Sequence, residues 1–222
     1  MSRIFDYDNG FFRFMSKLVD AFFISVLWTV FSVPFVTIGA STQALYHTVH
    51  KQLKGGRGYV WQEFYESFRD HLKENILIAV IYELLIGIFA YERILIRTMI
   101  DNGGPDYLRL MYFLTAFFQL LVVTWAIFTF CYRARFEMDW KNSMKNGILL
   151  LLGYLPRSFA ILLTAAVAAF VVYLVPILIC FVPTILFLFY DFLLEKVFRR
   201  LMSPEDLARE EELEMERKRD NE

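Results

Sequence analysis

Five apolar segments of membrane-crossing length constrain this chain more than any other feature of its sequence. A helix needs about 20 apolar residues to cross the hydrocarbon of a bilayer. With 57% hydrophobic and 18% aromatic residues, the chain is also richer in apolar side chains than ordinary soluble domains. We therefore expect an all-α, polytopic membrane protein with about five transmembrane helices. The predicted spans are residues 18–38, 76–96, 110–131, 158–175 and 177–194.

Two segments after the first span are helical in pattern but too polar to cross a membrane. These are residues 41–53 and residues 59–72. In the second segment, aromatic and aliphatic side chains recur at helical spacing along one face. Both segments therefore predict amphipathic interfacial helices on the cytoplasmic surface. The candidate residues for a cytoplasmic interface are Phe64, Phe68, Arg69 and Arg157.

The first span is interrupted near its end by a proline. Pro34 has no amide hydrogen and clashes with the preceding turn, so it predicts a kink or an early end of the helix. Gly39 supplies the conformational freedom for a turn. We predict an elbow at which the chain leaves the bilayer. The residues that mark this elbow are Trp28, Pro34, Thr37, Gly39 and Tyr46.

The placement of lysine and arginine predicts the orientation in the cell membrane. Basic residues are concentrated in residues 39–74 and 132–157 and after the last span, whereas residues 98–108 contain none. Basic loops stay in the cytoplasm, so five spans place the N-terminus outside and the C-terminus inside. The basic residues before the first span conflict with this topology, and a half-inserted first segment would relieve the conflict. We expect one integral membrane domain over residues 1–202, followed by a charged cytoplasmic tail over residues 203–222.

Motifs for catalysis are absent from the sequence. It contains no GxxxxGK[ST], GxGxxG, HExxH or GxSxG pattern. The residues that ATP hydrolysis and the familiar hydrolase and metalloprotease mechanisms require are therefore missing. His47 and His50 lie three apart on a predicted helix, but no carboxylate or cysteine follows at ligand spacing. We therefore expect neither an enzyme nor a bound cofactor or metal.

Two polar residues lie near the centres of predicted spans. A carboxyl group such as that of Glu83 is costly in a membrane unless it is protonated, paired or exposed to water. Gln119, near the middle of the third span, is a candidate partner. The pair indicates either a proton or solute pathway or an interhelical hydrogen bond that fixes packing. We favour the packing role, because transport pathways usually contain several ionisable groups.

One stretch carries a family resemblance. LWTVFSVPFVTIGASTQALY, followed by GRGYVWQEFYESFRDHLKEN, resembles the YesL-like family of small bacterial integral membrane proteins. FDYDNGFFRFMSKLVDAFF and NGILLLLGYLPRSF support the resemblance, which extends over about Phe5 to Leu201. Ser41 and Thr42 depart from the Gly-Pro-Ala-like turn of that family. The resemblance implies a role alongside carbohydrate uptake or breakdown, since such proteins are associated with sugar ABC importers and polysaccharide-degrading enzymes.

Together these features predict a non-catalytic accessory or regulatory membrane component associated with a carbohydrate ABC importer. Its expected partners are the lipid bilayer and the permease or ATPase subunits of the importer, and no nucleic acid. Two alternatives remain open. One is an independent small-solute or proton-coupled transporter that uses Glu83, and the other is a membrane sensor without transport.

Overall fold

The computed structural model describes residues 10–53, 59–136 and 138–205, and in the tail residues 207, 208, 211, 212 and 215. Over these residues the chain is all-helical, and no β-strand occurs among them, so the predicted all-α class is confirmed. The rest of the predicted tail lies outside the described residues. The helices are α1 (Gly10–Phe31), α2 (Ile38–Thr48), α3 (Val60–Asp70), α4 (Leu72–Asp101), α5 (Tyr107–Arg133), α6 (Trp140–Gly153), α7 (Leu155–Leu174) and α8 (Val182–Leu201).

Three of these helices, α4, α5 and α7, are long and apolar enough to cross a membrane. They contain 30, 27 and 20 residues and include most of the second, third and fourth predicted spans. The length and composition expected of these three spans are therefore confirmed. The first and fifth spans, which coincide with parts of α1 and α8, stay predictions.

The helices α4 and α5 form a long hairpin closed by a tight turn. Gly103 in this turn has a φ of 81°, a conformation that glycine adopts without steric cost. The buried residues of α4 lie in its first three turns, between Asn75 and Tyr82. Beyond them the hairpin exposes large apolar side chains, as a lipid-facing surface does. Among these exposed residues are Leu84, Ile88, Ile94, Leu110 and Phe113.

The central element of the described fold is α2, which contacts α1, α3, α4, α5 and α8. Eight of its eleven residues are buried, including the polar side chains of Ser41, Gln43 and Thr48. The prediction of a surface helix over residues 41–53 is therefore wrong for the α2 part of that segment. Its small side chains let neighbouring helices approach. Gln43 accepts from Asn75 on α4, and the Ser41 hydroxyl lies beside that of Ser32, whereas Thr48 donates to the Ala44 carbonyl oxygen within α2.

The helix is broken between α1 and α2, in the region of the predicted elbow around Pro34. The helix α1 ends at Phe31, three residues before Pro34, as the predicted early unwinding requires. The Thr37 hydroxyl donates to the carbonyl oxygens of Phe31 (2.6 Å) and Pro34 (2.7 Å). The bond to Phe31 satisfies a backbone acceptor that the end of α1 leaves without an intrahelical partner.

Side chains also join the two helices across the elbow. Trp28 Nε1 donates to Thr42 Oγ1 at 3.2 Å, and the hydroxyl oxygens of Ser32 and Ser41 lie 2.7 Å apart. The packing of α1 against α2 is thus fixed by hydrogen bonds as well as by apolar contact.

Gly39 serves close packing and does not form the turn. It lies inside α2, and a Cβ atom there would come 2.9 Å from the Asn75 carbonyl oxygen and 2.7 Å from Cε1 of Phe130. The prediction that Gly39 supplies the freedom to turn is therefore wrong. The glycine is needed because α4 and α5 approach α2 at this point.

Candidate functional site

Arg133, at the end of α5, holds a buried charge with several partners. Its side chain is 3% exposed, and Nη2 donates to Glu74 Oε2 at 2.7 Å. The Nε group donates to Asn75 Oδ1 at 2.9 Å. The Nη1 group donates to the Met138 carbonyl oxygen at 2.8 Å and to Ser143 Oγ at 3.2 Å. A buried guanidinium is tolerated only when its charge and its N–H groups are matched in this way.

This first network continues into the central helix. Asn75 Nδ2 donates to Gln43 Oε1 at 2.6 Å, and both residues are buried. One amide side chain therefore accepts from α5 through its oxygen and donates to α2 through its nitrogen. The network ties α2, α4 and α5 together at the end where α4 begins and α5 ends.

A second network surrounds His50, in the helical turn Val49–Leu53 after α2. His50 Nε2 lies 2.6 Å from Nη1 of Arg135, and Nδ1 lies 2.7 Å from Oδ1 of the fully buried Asp191. A guanidinium can only donate, so Nε2 accepts and the proton is on Nδ1. Glu195 accepts from Arg199 Nε at 3.1 Å and lies 3.6 Å from Arg135 Nη2. Neutral His50 therefore links the turn after α2 to the end of α5 and to α8.

The side chains around His50 include donor atoms that a metal ion could bind. His50, Asp191 and Glu195 place one nitrogen and two carboxylate oxygens within 4.8 Å of one another. A metal on Nδ1 would put a proton on Nε2, facing the N–H of Arg135 at 2.6 Å. The charges of Arg135 and Arg199 also already offset those of the two carboxylates. These residues fit an ion-pair network and do not fit a metal centre.

The partners of His50 were missed in the sequence because they lie far along the chain. Asp191 is 141 positions from His50, so spacing near the histidines could not indicate it. A usable signal was a pair of carboxylates at i and i+4, with Asp191 inside the last apolar segment and Glu195 directly after it. An acidic residue there requires a partner in the same way as Glu83 does.

His47 and Tyr46 flank the second network. The His47 ring lies 3.5 Å from the Ala134 carbonyl oxygen and 3.9 Å from Glu63 Oε2, and burial lowers the pKa of His47. The Tyr46 ring stacks on His50 with ring planes 9° apart. Burial raises the pKa of Tyr46 well above its usual value, so the phenol stays protonated.

In the part of the chain that the structure describes, no hydrogen bond joins Glu83 to Gln119. Gln119 Nε2 donates to the Ile86 carbonyl oxygen at 3.3 Å and so joins α5 to α4. Glu83 Oε1 is shielded from solvent and has no hydrogen-bond partner among the described residues. The packing role predicted for the pair therefore fits Gln119 alone.

The four predicted interface residues lie in different environments. Phe64 and Phe68 are buried, with ring centroids 5.6 and 4.7 Å from that of Phe31, so they belong to the core. Arg69 is exposed on α3. The Arg157 guanidinium lies over the Tyr154 ring at 5.2 Å. Of the four, only the two arginines are accessible to a partner.

Three apolar helices of membrane-crossing length are features of an integral membrane protein. Residues 21–93 match the model of a family described as a protein of unknown function, DUF624. The match runs from α1 through the elbow, α2 and α3 into α4. Comparisons with curated proteins and with solved structures gave no match.

Proposed function

We propose that this chain is a non-catalytic accessory or regulatory membrane component of a carbohydrate ABC importer. The observation that carries the proposal is that its buried charged side chains pair with other side chains inside the fold. Arg133 and Asp191 both pair inside the fold, and two grooves of about 730 and 560 Å³ are lined mainly by apolar residues. A solute pathway usually contains several ionisable groups that face a cavity. This arrangement therefore favours a docking component over a transporter.

The carbohydrate part of the proposal rests on the YesL-like resemblance of residues 27–46 and the stretches that accompany them. In the proposed mechanism, the cytoplasmic segments contact the permease, its ATPase or anionic lipid, while the spans provide the docking surface. Arg69 is exposed and suits such contacts.

The proposed topology has five spans in the cell membrane, with α1 and α8 added to α4, α5 and α7. The N-terminus lies outside and the C-terminus lies in the cytoplasm. Two observations support it. Arg133 and Glu74, joined at 2.7 Å, bring the end of α5 beside the start of α4, as adjacent antiparallel spans require. The turn between these helices has no lysine or arginine, which suits the external side.

Purification from the native membrane in mild detergent, followed by mass spectrometry, tests the proposal. We expect importer permease or ATPase subunits to co-purify with the wild-type chain and with Glu83→Gln. Recovery of no importer component would contradict the proposal. Solute flux into liposomes by the protein alone, abolished by Glu83→Gln, would instead establish the transporter alternative. Sugar-dependent partner binding with unchanged importer flux would establish the sensor alternative.

A further inference from the structure

An open groove of about 730 Å³ runs along one side of α4, and we call it the α4 groove. Val36 from the elbow forms part of its wall. A Cβ atom added at Gly87 would meet no atom within 4 Å, so the space over this glycine is unfilled. The remaining lining includes Val80, Glu83, Leu84 and Ile88.

The α4 groove contains a polar group that hydrocarbon cannot satisfy. Glu83 Oε1 is shielded from solvent and has no hydrogen-bond partner in the described part of the chain. A polar group buried without a partner is unfavourable, and it is more so inside a bilayer, where water is absent. A lipid acyl chain would fill the space but would bring no donor. The occupant that matches the groove must therefore supply one.

We infer that the α4 groove is the docking site for a transmembrane helix of a different membrane protein, which presents a hydrogen-bond donor at the level of Glu83. The inference deepens the proposed function, because it names the face through which an accessory chain would bind. Gly87 lies one helical turn from Glu83, on the same side of α4. A glycine at such a position lets the backbone of a partner helix come close.

A second copy of the chain matches the groove less well. Two copies in the same membrane are related by an axis along the membrane normal, so equivalent residues meet at equal depth. Glu83 would then face its own counterpart, a second acceptor unless the two carboxyl groups share a proton. Tyr91, a hydroxyl donor lining the same groove, lies about two turns from Glu83. A partner helix with a lysine, arginine or asparagine is the complementary occupant.

The test uses the purified full-length chain in phosphatidylcholine vesicles with two synthetic transmembrane peptides. One is a poly-leucine helix and the other carries a single central asparagine, so the two differ only in one side chain, whose amide N–H groups can donate to Glu83. Energy transfer between labelled protein and peptide measures association. We expect the asparagine peptide to associate roughly three- to tenfold more strongly, as one hydrogen bond between membrane helices provides. Glu83→Leu should remove this difference, and Glu83→Gln should retain most of it, because an amide oxygen still accepts.

A pair of glycine substitutions separates the groove from the rest of the surface. Gly87 and Gly153 both lie in helices with no atom within 4 Å of an added Cβ, but only Gly87 lines the groove. We expect Gly87→Ile to fill the groove and abolish the preference for the asparagine peptide, and Gly153→Ile to leave it unchanged. At neither position does an added Cβ come within 4 Å of another atom, so we expect both variants to retain the wild-type circular dichroism spectrum.

Equal association of the two peptides with the wild-type chain would overturn the inference and leave the groove to lipid. Self-association of the chain that Glu83→Leu abolishes, without a peptide preference, would overturn it in favour of a second copy. The two hypotheses can also fail separately. If the chain prefers the asparagine peptide in a way that depends on Glu83, but no importer subunit co-purifies with it, the docking site is upheld and the proposed function is contradicted.

Discussion

A single guanidinium, that of Arg133, donates to acceptors on α4, on α6 and in the segment between α5 and α6. We expect Arg133→Lys to lower the free energy of unfolding by about 2 to 4 kcal/mol, because one ammonium cannot reproduce the planar set of donors. Thermal or denaturant unfolding in detergent micelles measures the loss. Arg157→Lys is the matched control.

In the control, the Arg157 guanidinium lies over the Tyr154 ring and is only half buried. Replacing it with lysine keeps the charge over the ring, so the expected loss is below about 1 kcal/mol. If both variants lose the same free energy of unfolding, the hydrogen bonds of Arg133 do not make the contribution to stability that we expect.

The role of Arg133 could not be read from its surroundings in the sequence. It follows an apolar run, where a basic residue is explained by the positive-inside rule alone. Its acceptor Asn75 is 58 positions away, and no local pattern indicates that the two side chains meet. Only the packing of α4 against α5 brings them together.

Among the helices, the packing of α2 depends on a residue without a side chain. An added Cβ at Gly39 would lie 2.9 Å from the Asn75 carbonyl oxygen, which belongs to the backbone and cannot move aside cheaply. We therefore expect Gly39→Ala to cost about 1 to 3 kcal/mol, despite the better helix propensity of alanine. Gly153→Ala, where the added methyl meets open space, should cost nothing measurable. Unfolding curves that coincide for the two variants would contradict the close packing described for α2.

The contrast between α2 and the long helices explains which elements could be predicted. The helices α4, α5 and α7 contain long apolar runs, whose membrane-crossing length needs no knowledge of neighbours. The segment that forms α2 is rich in small and polar side chains, a composition typical of a surface helix. Its polar side chains can be buried because they form hydrogen bonds with other segments: Gln43 with α4, Ser41 with Ser32, and Thr42 with Trp28 of α1. These partners come together only in the tertiary structure.

For the whole molecule, both polar networks lie around the C-terminal end of α5. The Arg133 network joins it to α2, α4 and α6, and the His50 network joins it to the turn after α2 and to α8. The opposite end of the α4–α5 hairpin carries exposed apolar side chains and the exposed pair of Asp106 and Arg109. In the proposed orientation, the end with the two polar networks faces the cytoplasm, and the turn at Gly103, which has no lysine or arginine, faces the outside.

Cysteine labelling with a membrane-impermeant maleimide tests that orientation in intact cells. In a background with Cys180→Ala, Asn102→Cys in the α4–α5 turn should react from outside, and so should Ser2→Cys near the N-terminus. Asn142→Cys, on the exposed side of α6, should react only after the membrane is opened, because α5 separates it from residue 102. The buried Cys131 should stay unlabelled. Reaction of Asn102→Cys only in opened cells would invert the orientation, and reaction of residues 102 and 142 from the same side would exclude α5 as a span.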